Sequence, residues 1–209
     1  MNASNTEAAV LMRALKLIEG YLCIPDGYVL ACQRKVIQDA RPLLLLRHER
    51  SDGRNTGLGG EHFSVLINLE EERLDGVHHM DRRYSNAVPE EQVALQRARE
   101  FLAAAAPDLA KRAEERWVKP LRKEPLEPPH HSGFAFVECE TGGSRAAIGV
   151  RVKMFDATTG TWAWVVVGHD GGIVSFERDI SWDSQRKRRM TEQWLHDPWV
   201  DRLIQTVND

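Results

Sequence analysis

Apolar positions near the N-terminus recur at helical spacing. Val10, Ala14, Leu17, Ile18, Tyr21 and Leu22 share one face of a helix running from about Thr6 to Leu22, with Arg13, Lys16 and Glu19 opposite. Pro25-Asp26-Gly27 then turns the chain. Leu43 to Arg47 is continuously aliphatic rather than alternating, the pattern of a strand buried on both faces. After the polar, glycine-rich loop Ser51 to Gly60, the residues Phe63, Val65, Ile67 and Leu69 alternate at period two. Glu70-Glu71-Glu72 interrupts that pattern before a further strand from Arg73 to Met80, which makes the two runs a hairpin. The first part thus reads as one helix followed by three strands.

The same order then starts again. Pro89 with Glu90 and Glu91 opens a second helix, since proline at the first helical position sacrifices no hydrogen bond and carboxylates favour the positive end of the dipole. The helix continues through Val93, Phe101 and Leu102, kinks or restarts at Pro107, and is extended by Leu109, Ala113 and Trp117 at intervals of four. A connector with Pro120, Pro125, Pro128 and Pro129 ends it. Four strands of an antiparallel meander follow: one around Phe134, Phe136 and Val137, one with Ile148, Val150, Val152 and Met154, one with Trp162, Trp164 and Val166, and one from Ile173 to Ile180. Thr141 to Ser144, Asp156 to Gly160 and His169 to Gly172 supply the turns. The tail after Trp182 reads as two short helices, one capped by Asp183 or Ser184 and one started by Asp197-Pro198.

The fold class expected is therefore α+β, built from two successive helix-then-antiparallel-sheet units in tandem. Residues 1–86 form the first unit and 87–182 the second, and 183–209 form a helical tail packed on the second unit. In outline each unit resembles the cystatin-like or PepSY-like arrangement, a helix across an antiparallel sheet. The resemblance is one of element order, carries no shared motif, and implies no function.

Composition narrows the class without supplying chemistry. The chain has 209 residues, 28 basic and 31 acidic side chains for a net charge of −3, and 42% hydrophobic residues, enough to build a sizeable core. The first residues lack the basic-then-apolar order of a secretory leader, and the longest apolar run, Leu43 to Leu46, falls far short of the ~20 residues of a membrane span. A cytoplasmic protein with no membrane contact is expected. Cys23, Cys32 and Cys139 form no CxxC pair and read as reduced, buried thiols rather than a disulfide framework or a zinc ribbon.

Eight histidines are the main source of candidate chemistry: His48, His62, His78, His79, His130, His131, His169 and His196. The pairs His78-His79 and His130-His131, with Asp81, Asp170 or Glu177 nearby, offer ligands for a metal ion. Strand geometry opposes this for the first pair, because adjacent residues point to opposite faces. His169-Asp170 with Glu177 could do acid–base work, although His-Asp-Gly-Gly is also what a tight turn requires. The loop Gly57 to Gly60 precedes a strand, not a helix, so it lacks the helix N-terminus that holds phosphate. No GxSxG, HExxH or Walker pattern occurs.

Exclusion and the tryptophans decide the expectation of function. Trp162 and Trp164 share one face of a strand, and Trp182, Trp194 and Trp199 crowd the tail, beside the basic run Arg186, Lys187, Arg188 and Arg189 on the first short helix. The sequence therefore points to a non-enzymatic protein-binding module, an accessory, adaptor or immunity-type inhibitor, offering its sheet edges and its tryptophan-rich face, with Trp162, Trp164, Trp194, Trp199, Arg186, Arg188 and Arg189, to another protein. Nucleic acid is disfavoured by the net charge of −3, and no organic cofactor is expected. The alternative is a small metal-dependent enzyme built on His78, His79 and His169 with neighbouring carboxylates, which requires several of these side chains to converge in one pocket.

Overall fold

A tight turn with two left-handed residues, Asp39 at φ 46° and Ala40 at φ 63°, joins the first two strands. These are β1 (Tyr28–Gln38) and β2 (Arg41–Arg50). They open a nine-stranded sheet in a computed structural model that describes residues 3–85, 87–123, 136–137 and 147–205. β3 (His62–Asn68) and β4 (Arg73–Met80) continue the meander. The second run is β5 (Glu114–Lys123), β6 (Phe136–Val137), β7 (Ala147–Asp156), β8 (Thr161–Val167) and β9 (Ile173–Ile180). The order across the sheet is β1-β2-β3-β4-β9-β8-β7-β5-β6, with every neighbouring pair antiparallel. The protein is thus mixed α+β and mostly sheet.

Three helices share one face of this sheet. α1 (Ala3–Ile18), α2 (Glu91–Ala105) and α3 (Pro107–Arg112) place Ala14, Ile18, Ala98, Phe101, Leu102 and Leu109 against Leu44, Leu46, Val65, Ile67, Val152, Val165 and Phe176. The alanines of α2 leave no bulk between helix and sheet, so the two approach closely. The break between α2 and α3 falls at Ala106, just before Pro107, as the proline signal indicates. On the other face α4 (Asp197–Gln205) sets Val200, with Leu195, on Val36, Leu43, Leu45 and Leu66. The aliphatic run of β2 therefore is buried on both sides, even-numbered leucines under α1 and odd-numbered ones under the C-terminal segment.

Several expectations are corrected. Four strands, not three, follow α1, because Tyr28–Gln38 is an edge strand. Helix does not extend to Trp117: α3 stops at Arg112 and Trp117 lies on β5. The first tail segment is a small hairpin, β10 (Trp182–Asp183) paired with β11 (Arg188–Arg189). Asp183 does accept amide hydrogens from Gln185 and Arg186 as a helix cap would, but the chain folds back through Lys187 at φ 49°. The tail also spans both halves of the sheet: Arg189 and His196 reach Glu177 on β9, while Leu195 and Val200 pack on β1 to β3. Cys23 is exposed and Cys32 half-buried, both as free thiols, and Cys139 lies outside the described residues. Among the described residues no helix is long and apolar enough to cross a membrane.

Candidate functional site

Where the end of α1 meets the end of the sheet, a cleft of about 540 Å³ opens beside α2. Tyr28 enters it from the start of β1, Arg50 from the end of β2, and His79 and Asp81 from the end of β4. Arg83 and Tyr84 come from the short 3-10 helix Arg82–Ser85, Arg97 from α2, and Asp170 from the turn between β8 and β9. Residues scattered over the chain converge there because a sheet brings the ends of its strands to one rim.

His79 is the centre of the site. Its side chain is almost enclosed by Tyr28, Phe63 and Tyr84, whose rings meet it edge-on with centroids 6.0, 5.4 and 5.4 Å away. Burial, reinforced by the positive charge of Arg83, pushes the imidazole down to about 4, so it is neutral at neutral pH. Arg83 Nη2 stands 3.3 Å from His79 Nε2, and since guanidinium can only donate, that nitrogen accepts from Arg83 in the tautomer that carries the proton on Nδ1. Asp81 Oδ2 lies 3.6 Å from the same nitrogen, 3.3 Å from Arg83 Nε, and accepts the Tyr28 hydroxyl at 3.4 Å. Burial raises the Tyr28 phenol and lifts that of Tyr84 to about 12, so both remain hydrogen-bond donors. A smaller cavity of about 120 Å³ shares His79, Asp81 and Tyr84 with the cleft and is lined also by Gly59, Gly60 and Glu61.

Turn chemistry fixes the cleft's other wall. Asp170 Oδ1 accepts the Gly172 amide at 2.8 Å, and Gly171 takes φ 77°, so His169-Asp170-Gly171-Gly172 does form the tight turn its composition indicates. Gly168 and Gly172 lie against Tyr84: a Cβ on Gly172 would stand 2.7 Å from the phenol oxygen. The ring of His169 lies 6.0 Å from that of Tyr84.

His78 points the opposite way, as strand alternation requires. It belongs to a buried polar layer beneath the C-terminal segment, its ring 5.5 Å from that of His62 and 4.9 Å from that of His196. His196 Nε2 lies 3.0 Å from Glu177 Oε1, and Arg189 Nη1 binds Glu177 Oε2 at 2.6 Å. Arg47, 2% exposed, binds Asp197 at 2.6 Å, Glu49 at 2.7 Å and the Gly57 carbonyl at 2.8 Å. Asp197 and Glu49 in turn accept the amides of Gly59 and Gly57, so the chain's own carboxylates occupy donors that a phosphate would need. Desolvation drives His62 and His78 well below the ordinary imidazole range. His48 is buried beside Phe63 on the helix face, and His130 and His131 lie outside the described residues. Among the described residues no three His, Cys, Asp or Glu side chains converge to hold a metal ion.

The residues expected to bind a partner make their contacts in separate groups. Trp162 packs on Phe155 with Lys153 over its ring at 4.4 Å, and Trp164 lies under the Arg189 guanidinium at 5.5 Å. Trp194 and Trp199 meet edge-on, 5.0 Å apart, at the β1 side of the sheet, where the Trp194 indole donates to the Ile37 carbonyl at 2.7 Å. Arg186 and Arg188 are exposed on the β10–β11 hairpin, whereas Arg189 turns inward to Glu177. Sequence reasoning missed Tyr28, Arg50, Arg83, Tyr84 and Arg97 as site residues. No protein-family model, curated protein or solved structure matches the chain.

Proposed function

We propose that the chain binds a small organic anion bearing hydroxyl or amino groups, such as a hydroxy acid or an amino acid, in the cleft around His79. The observation that carries this reading is the meeting of His79, Asp81, Arg83, Tyr28 and Tyr84 at the wall of one 540 Å³ cleft. Three guanidinium groups, Arg50, Arg83 and Arg97, face three carboxylates, Asp26, Asp81 and Asp170, so the lining suits a ligand with both an anionic group and hydrogen-bond donors. Arg83 is the anion anchor, because its side chain is 44% exposed at the cleft wall and its Nη2 stands beside His79 Nε2. When a ligand draws Arg83 away, His79 Nε2 gains an unoccupied lone pair beside the bound molecule, placed to accept a proton from it. Asp81 and the two phenols then orient the ligand's donors and acceptors. A thermal-shift and calorimetry panel of hydroxy acids, amino acids and sugar acids tests the reading: a member that binds the protein and loses affinity with Arg83→Ala supports it, and a panel without such a member sinks it.

The two-unit organisation belongs with this proposal. α1 with β1 to β4 and α2 with β5 and β7 to β9 each run helix first and end on a central strand, and the two final strands, β4 and β9, pair with each other. The cleft gathers residues from both halves at that junction, so fragments 1–86 and 87–209 expressed apart are expected to regain ligand binding only when mixed. The protein-partner function suggested by the sequence, on the sheet and its tryptophan-rich face, does not use the cleft residues.

A further inference from the structure

We infer that the outer edge of β1 is a docking site for an extended acidic segment of a partner protein, added as a tenth strand. The inference is independent of the cleft. β1 ends the sheet, and the two-residue turn at Asp39 and Ala40 sets which of its main-chain groups are free. Gln38 and Arg41 flank that turn and bond to each other, so Val36 and Arg34 also bond to β2, while Ile37, Lys35 and Gln33 present their N–H and C=O outward. The Trp194 indole confirms the parity by donating to the outward Ile37 carbonyl, and it marks where the free edge ends.

The side chains of this edge select its occupant. Val29, Leu30 and Ile37 are 52%, 38% and 55% exposed, an unusual amount of apolar surface for one strand. Arg34 and Lys35 are its only charged residues, both exposed, and among the described residues neither forms an ion pair. Lysine and arginine on an edge, together with the irregularity between Leu30 and Cys32, repel indiscriminate strand addition. Two copies of this chain set edge to edge would bring four positive charges to one seam, and β1 itself carries no acid to offset them. An acidic strand meets no such repulsion and finds hydrogen bonds, counter-charge and apolar contact along the same edge. In antiparallel pairing the segment carries two adjacent acids opposite Lys35 and Arg34, followed two or three residues later by two apolar residues opposite Leu30 and Val29.

The test uses the full chain and a blocked peptide of sequence Thr-Glu-Glu-Thr-Thr-Val-Val-Thr, with a Lys-Lys version as control. The acidic peptide is expected to bind about tenfold more tightly than the basic one, and the double variant Arg34→Glu, Lys35→Glu to reverse the preference. Binding should also protect the Gln33 and Lys35 amides from hydrogen exchange and persist in Arg83→Ala, which separates it from the cleft. Circular dichroism checks that the double variant is folded. Equal binding of both peptides, protection elsewhere on the sheet, self-association through β1 in ultracentrifugation, or preferential binding of polyuridylate would each overturn the inference.

Discussion

Arg83 Nη2 sits 3.3 Å from His79 Nε2, and this contact couples the charge at the cleft wall to the protonation of its imidazole. Burial, with the positive charge of the guanidinium, keeps the ring neutral. Replacing Arg83 with alanine or glutamine removes a repulsive positive charge while leaving Asp81 and Asp170, which favour the protonated ring. The His79 pKa is therefore expected to rise from about 4 toward its ordinary value in Arg83→Gln. Titration of the His79 ring by NMR reads this directly, and an unchanged value would show that burial alone sets it.

Gly168 and Gly172 are spacing residues for Tyr84. A methyl group on Gly168 would run into the Tyr84 ring, which must move before the variant can pack. Gly168→Ala is expected to cost about 1–3 kcal/mol, the usual range for overpacking. Much of that loss should disappear in a Tyr84→Leu background, a coupling that urea denaturation of the single and double variants measures. Equal losses in both backgrounds would place the strain elsewhere.

The Arg47–Asp197 pair clamps the C-terminal segment and, through Gly57 and Gly59, the glycine-rich loop at the back of His79. Both side chains are under one-tenth exposed, so removing one leaves a buried charge short of a partner. Asp197→Ala is expected to destabilise by about 3 kcal/mol, the lower end for a broken buried pair, since Glu49 still holds Arg47. Substituting both partners with apolar residues should cost less than this single change. A single variant within experimental error of the parent in urea denaturation would contradict the role assigned to the clamp.

Acid should destabilise the fold earlier than carboxylate protonation alone would bring about. His79 has a folded pKa of about 4 against an ordinary 6.5, so below pH 6.5 the unfolded chain binds a proton that the folded chain does not. Stability from this residue is complete above pH 6.5 and falls as pH drops toward 4, by a total on the order of 3 kcal/mol. His62 and His78 act in the same direction. Glu177, held ionised by Arg189 and His196, adds a loss that begins as pH falls through the ordinary glutamate range and continues below it. Replacing His79 with glutamine should flatten the stability profile between pH 6.5 and 4; an unchanged profile would contradict the assignment.

The sequence made the interior legible and the periphery much less so. The aliphatic run of β2, the alternation in β3 and β7 and the proline at the start of α3 each signal their structure because burial on a sheet face imposes a period. β1 escaped notice because an edge strand with one bare face carries no clean alternation, and the irregularity between Leu30 and Cys32 breaks what there is. β5 was hidden by residues that also favour helix, with Trp117 four positions after Ala113 continuing a stripe that α3 abandons at Arg112. His79 stood out as one of a pair, and alternation correctly separated it from His78. Arg83 and Tyr84 gave no signal, since only the folding of β4 and the 3-10 helix brings them to His79.

In the proposed mode of binding a small anionic ligand takes Arg83 from His79. Calorimetric titration of the best binder from a panel of hydroxy acids, amino acids and sugar acids into the parent and into Arg83→Ala, followed by NMR of the His79 ring, tests it most directly. Binding at least tenfold weaker in the variant is expected, with a shift of the His79 Nε2 resonance in the parent alone when ligand is added. Equal affinity in both proteins, or ligand binding that leaves the His79 ring unperturbed, would contradict it.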